Sequence, residues 1–168
     1  MKKVSFLVIL VTGFLCSMSL LSQEFLYVGA DKCKICHRTE KQGKQHPIWE
    51  ESKHAKSYTA LLSEEAMALA ENAAENPACL KCHAPLHEKE PFLKEEGVSC
   101  EVCHGPGSNY KSLNVMKNRE EAVRNGLILY ESMAAIEKHC LTCHQNAHDK
   151  PFDFASSWEK IKHPKPEE

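Results

Sequence analysis

Four short motifs constrain this chain more than any other feature: CKICH at 33–37, CLKCH at 79–83, CEVCH at 100–104 and CLTCH at 140–144. Each sets two thiols three positions apart and places a histidine directly after the second. Two chemistries compete for such a pattern. Cys79/Cys82 and Cys100/Cys103, with seventeen residues between the pairs, have the spacing of a four-thiolate zinc ribbon. A ribbon needs no histidine after either pair, yet all four pairs carry one, in a chain with ten His among 168 residues. Covalent haem attachment requires that order. Each thiol adds to a haem vinyl group to give a thioether, and the following histidine is left beneath the iron as its proximal ligand. A disulfide within each pair would be a short-loop redox device, and no thioredoxin-like βαβ pattern is present to carry it. The motifs therefore predict four haem c groups, attached through Cys33, Cys36, Cys79, Cys82, Cys100, Cys103, Cys140 and Cys143. The proximal iron ligands are His37, His83, His104 and His144.

The N-terminus supports this chemistry. Residues 1–22 read as a secretory signal peptide: Lys2 and Lys3, an apolar stretch from Val4 to Leu15 too short for a comfortable membrane span, then Ser17, Ser19 and Ser22. Cleavage after Ser19 or Ser22 is expected, with Ser22 the preferred position. Retention as an anchor is the rival reading, while lipidation of Cys16 would need a small residue where Leu15 stands. Cleavage removes Cys16, so the eight remaining cysteines all lie in the motifs. Two lysines and no acid leave with it, taking the net charge from −2 to −4. Export to the periplasm, or to another oxidising compartment, weakens readings that need free thiols. With no excess of Lys and Arg, nucleic acid is not an expected partner.

Residues 23–168 form one domain. Expected helices run from Pro47 to about Asn76, in two pieces with a fresh cap at Ser63, and from a cap at Asn118 to the break at Asn125-Gly126. A short helix precedes Cys140, and a last one is capped by Ser156 and ends at His163-Pro164. Gly105-Pro106-Gly107 forbids helix after His104, in a sharp turn that lets backbone pass close to a porphyrin. No useful strand pattern appears. Large apolar residues are sparse, so the expected fold is mainly α with much irregular loop. It is a small multihaem cytochrome c fold in which four covalently bound haems form the core. So many haems in so short a chain must lie close together.

Six histidines remain for the sixth iron positions. His54 falls on the Pro47 helix, in the inward sector of Trp49, Tyr58 and Leu61. His163 follows the SSWEKIKHP segment, beside Trp158 and Ile161. His87 is too close to His83 to reach the far face of its own haem, but could reach a neighbour's. His46 and His148 fall in polar loops, His139 directly precedes Cys140, and Met116 is a further candidate.

The segment WEESKHAKSYTAL between the first two motifs, CEVCHGPG at the third, and the four CxxCH sites together resemble the tetrahaem cytochrome c-554 family. Its members are electron carriers typified by the partner of hydroxylamine oxidoreductase in ammonia oxidisers. The resemblance covers most of residues 28–144. It implies haems in stacked pairs, three of them bis-histidine, with the second five-coordinate, so that His83 faces an open sixth site. It implies that His54 serves the third haem and His163 the first. The family has a histidine about ten residues beyond the third motif, for the fourth haem. Asn114 stands there instead, so His87 or His148 substitutes or the fourth haem is also open.

The leading functional expectation is a carrier that relays electrons between redox protein partners. The alternative is a haem enzyme acting on nitric oxide, nitrite or hydroxylamine at an open five-coordinate iron. Association with a membrane redox complex is compatible with the first reading.

Overall fold

The computed structural model describes residues 24–145 and 147–165, so the expected signal at 1–22 lies outside the described residues. The chain is mainly helical with long irregular connections, and no strand occurs among the described residues. Its helices are α1 (Ala30–Lys34), α2 (Gln45–Glu51), α3 (Ser57–Ala60), α4 (Glu64–Leu69), α5 (Pro77–His83), α6 (Cys100–His104), α7 (Leu113–Met116), α8 (Arg119–Arg124), α9 (Met133–Cys140) and α10 (Phe154–Ile161). The longest have only 8 residues. Too short to be stable alone, such helices need tertiary support. None of the described helices is long and apolar enough to cross a membrane.

Caps explain most of the starts. Ser63 accepts from the Ala66 N–H, Asn118 from Glu121 and Ser132 from Ala135. Asn76 accepts from Ala78, with Pro77 in the first helical position where its missing N–H costs nothing. The helix before Cys140 and the stop at Asn125-Gly126 are where the sequence puts them.

Three expectations change. The Pro47–Asn76 run is three helices, not two. Ser52 Oγ accepts from the His54 and Ala55 N–H groups, a local bond that competes with helix continuation. His54 therefore sits in the turn between α2 and α3 and not on a helix. The last helix starts two residues before Ser156, capped by Asp153, whose Oδ1 accepts from the Ser156 N–H. The turn at 105–107 is packed against protein. A Cβ on Gly105 would lie 2.5 Å from the Gly126 carbonyl, and one on Gly107 would lie 2.9 Å from Glu101 Oε1.

The apolar core is thin. Leu61, Ala73, Ala74, Leu80 and Ala84 form one cluster, flanked by Tyr58, Ala66, Ala70 and Cys79. Leu93, Ala30, Tyr110 and Ala122 are buried elsewhere. Half of this core is alanine, so it contributes little apolar area. Polar ties do much of the joining. Glu101, 1% exposed, accepts from the Val28, Gly29 and Gly107 N–H groups at 2.6–3.1 Å. That pins the lead-in to the first motif onto the third. Trp49 Nε1 donates to the Val98 carbonyl at 2.8 Å, and the Tyr110 hydroxyl to the Gly105 carbonyl at 2.9 Å.

Candidate functional site

Each motif ends on or just after a short helix: α1, α5, α6 and α9. One turn of helix brings the two cysteines of a CxxC onto one side, with the histidine after them. None of the eight motif cysteines is in a disulfide; Cys36 is exposed and the rest are half-buried.

The thiols show how the motifs adjoin. Cys33 and Cys100 adjoin, and the neighbouring thiol holds Cys33 below its ordinary value and pushes Cys100 well above it. Cys82 adjoins Cys143 and is pushed up to about 11, by burial first and then by that neighbour. Cys103 is also pushed up to about 11, chiefly by burial, with Cys140 and Cys143 adding. The two pairs with zinc-ribbon spacing thus turn to different neighbours. The adjacency order is first, third, fourth, second. Tyr130 reinforces its middle step: its hydroxyl donates to the Cys103 carbonyl at 3.0 Å while its ring lies 5.4 Å from that of His139 on α9.

The histidines come together in facing pairs. His54 and His144 have ring centres 6.1 Å apart, His104 and His163 5.8 Å, and His83 and His148 6.1 Å. Two imidazoles on one metal ion, each bonded at about 2 Å with its ring centre about 1 Å behind the nitrogen, stand about 6 Å apart. No hydrogen bond joins the partners of any pair. The spacing is too long for direct contact and suits an intervening iron. Burial also favours the neutral, metal-binding form of His54, His104, His144 and His163. It drives His104 down to about 4, with His163 and His37 adding. It lowers His54, with His144 adding, and lowers His144 alone. Phe152 stacks on His144 at 4.5 Å. By these measures the residues present fit haem c.

Hydrogen bonds fix which nitrogen is free. His83 Nδ1 lies 2.8 Å from the Ser57 carbonyl. A carbonyl can only accept, so Nδ1 carries the proton and Nε2 keeps its lone pair. His87 does the same with the Ala84 carbonyl at 2.8 Å. Gln45 Nε2 donates to the Pro164 carbonyl at 3.0 Å, which leaves Oε1 to accept from His37 Nδ1 at 3.2 Å. This single glutamine ties the first motif to the segment that carries His163.

The pairings differ from those the resemblance implied. His54 faces His144, not His104; His163 faces His104, not His37; and His83 has His148 opposite it. His87 is half-buried in the turn after α5. His46 is not in a solvated loop: it is 2% exposed beneath Trp49, with neither ring nitrogen hydrogen-bonded. His139 lies by Tyr130, and Met116 is half-buried at the end of α7. Sequence reasoning missed Glu101, Gln45 and Ser57. Ser57 Oγ accepts from the Val98 N–H at 3.0 Å and lies within donating distance of the His54 and His83 carbonyls. Nothing in their spacing marks these residues; only the location of Glu101 between two motif cysteines hinted at a role.

Comparison with known proteins gives a consistent picture. The family described as "Cytochrome c554 and c-prime" matches residues 32–105, a stretch that holds the first three motifs. Cytochrome c-554 of Nitrosomonas europaea is 25% identical over 154 residues, covering 78% of this chain and 63% of its own length. The chain thus spans less than two thirds of that curated relative. No solved structure matches.

Proposed function

We propose that the chain is a member of the cytochrome c-554 family, an exported tetrahaem c-type cytochrome that relays electrons between redox protein partners. Bound haem c supplies an iron that alternates between ferric and ferrous states. The chain's own residues do the rest. The eight motif cysteines would anchor the haems, and His37, His83, His104 and His144 would hold the irons. His54 would be the second histidine at the fourth site and His163 at the third. His87 serves the first: its Nε2 is free, and the Lys89–Tyr27 hydrogen bond at 3.2 Å holds its loop beside the lead-in to the first motif.

The observation that carries this reading is the adjacency of the four attachment points in one unbroken row. A row with two ends suits passage between two partners better than chemistry at one centre. The first motif is the more open end, with Ile35 71% exposed and Cys36 at the surface, and it offers one docking point. Association with a membrane complex is compatible with this arrangement. The alternative, turnover of a small nitrogen species at an open iron over His83, gains no support from a site with another imidazole opposite.

The test is the mass and covalent-haem stain of protein matured in a host that exports and attaches haem c, followed by a potentiometric titration. Four haems per chain and a low-potential titration in several steps are expected. A chain without covalent haem would overturn the reading.

A further inference from the structure

The geometry points to His148 as the sixth ligand of the iron held by His83, so that the second site is closed in this chain. The inference rests on the tetrahaem reading and settles a position which that reading leaves open. Three observations converge on it. The His83 and His148 rings stand 6.1 Å apart, within 0.3 Å of the other two facing pairs. The His83 Nδ1 proton is committed to the Ser57 carbonyl, so its ligating nitrogen is Nε2. His148 follows His144 by only four residues, so it is poorly placed for the far face of its own haem and well placed for a neighbour's.

The backbone supplies a further sign. His148 (φ 58°) and Asp149 (φ 55°) are consecutive non-glycine residues in the left-handed region. Such a pair is costly and persists where something else holds it. Among the described residues no hydrogen bond from either side chain does so, whereas a ligand bond from His148 would.

The His83 and His148 ring planes cross at 75°, against 47° and 44° for the other two pairs. Crossed imidazole planes leave two iron d orbitals nearly degenerate. They give a ferric low-spin signal with one strongly displaced g-value, unlike the rhombic signals of more parallel planes.

The experiment is EPR of the ferric holoprotein together with carbon monoxide binding to the ferrous form, in wild type, His148→Ala and His148→Met. Wild type is expected to show one signal of the crossed-plane type. His148→Ala loses it, gains one high-spin haem and one carbon monoxide site per chain over wild type, and returns to low spin with added imidazole. Equal high-spin and carbon monoxide counts in wild type and His148→Ala would overturn the inference. Should the alanine variant fail to mature, His148→Met decides. Methionine ligation is expected to raise the potential of one haem, and an unchanged titration counts against His148. The haem count on the same samples tests the parent reading separately. Four haems with no spectral response to either substitution would sink this inference alone.

Discussion

Glu101→Gln isolates the tie that joins the first motif to the third. The carboxylate is 1% exposed. Oε1 accepts from Gly107 N at 2.6 Å and Val28 N at 3.1 Å, and Oε2 from Gly29 N at 2.8 Å and Val28 N at 3.0 Å. An amide has one oxygen. If that oxygen stays on Gly107, the new NH2 faces the Gly29 N–H, donor against donor, and the reverse placement orphans Gly107. The substitution removes a buried charge, but that relief requires acceptors for the new N–H groups, and these neighbours are donors. With each buried unpaired group costing about 1–3 kcal/mol, a loss of about 3 kcal/mol is expected. For a chain of this size that corresponds to a melting point lower by roughly 6–12 °C.

The assay is guanidinium unfolding of the holoprotein, followed by the fluorescence of Trp49 and Trp158, with haem content measured in parallel. Glu88→Gln, at an exposed position, is the control and should stay within about 0.5 kcal/mol of wild type. If Glu101→Gln behaves like Glu88→Gln, with the same midpoint and slope, the three N–H bonds do not join the motifs and the argument fails.

Other perturbations test neighbouring parts. Glu96 accepts from the Ala30 N–H, and burial raises its carboxyl above the ordinary 4.5, with Glu101 and Asp31 adding. A raised carboxyl binds its proton more tightly folded than unfolded. Its contribution is therefore present below pH 4.5 and is lost as pH rises through the native value. Denaturant midpoints taken upward from pH 4.5 should move in favour of Glu96→Gln relative to wild type, and a constant difference would contradict this. Ser57→Ala removes the acceptor for Val98 N–H and a donor to the His83 or His54 carbonyl, and should cost about 1–2 kcal/mol without changing the haem count by mass. Gly97→Ala should cost more than Ser57→Ala in the same unfolding assay. Gly97 has φ 65° and ψ −131°, and a Cβ there would meet Ser57 Oγ and lie 2.7 Å from the His54 carbonyl.

What could be read in the sequence was local chemistry. A CxxCH is a covalent requirement written in five residues. The caps at Ser63, Asn76-Pro77 and Asn118 are bonds between neighbours, legible because both partners lie within one turn. The errors arose where distant parts compete with local preference. The stretch EEAMALAENAAEN has strong helix propensity, yet α4 stops at Leu69, and Asn72 turns left-handed at φ 50°. That turn returns Ala73 and Ala74 to the cluster around Leu61 and Leu80, where they are 2% and 9% exposed. With so little apolar surface available, burial of two alanines outweighs another helical turn. Ser52 breaks the preceding run by its local bonds to the His54 and Ala55 N–H groups, and the break is what frees His54 from a helix face.

The histidine pairs show the limit most clearly. The identity of the candidates follows from counting, since four proximal residues leave six. Which one faces which iron does not follow from separation along the chain. His54 and His144 lie far apart in sequence, as do His83 and His148, while His83 and His87 are near neighbours that do not pair. Pairing is decided by which motifs adjoin, and that depends on contacts such as Cys33 with Cys100, Cys82 with Cys143, and Gln45 with Pro164. A resemblance to a family carries over ligand types more safely than ligand partners. Asn114 occupies the family's position for the fourth site's histidine, and His54 faces His144 instead. On the proposed assignment, with His54 opposite the fourth site, His163 takes the third and the first site needs a new partner. One missing histidine would then redistribute partners along the whole row. The first site therefore offers the sharpest check on this chain of substitutions: His87→Ala should convert one low-spin haem to high spin, additively with His148→Ala. A spectrum unchanged by His87→Ala would break the chain at that step while leaving the other three pairs standing.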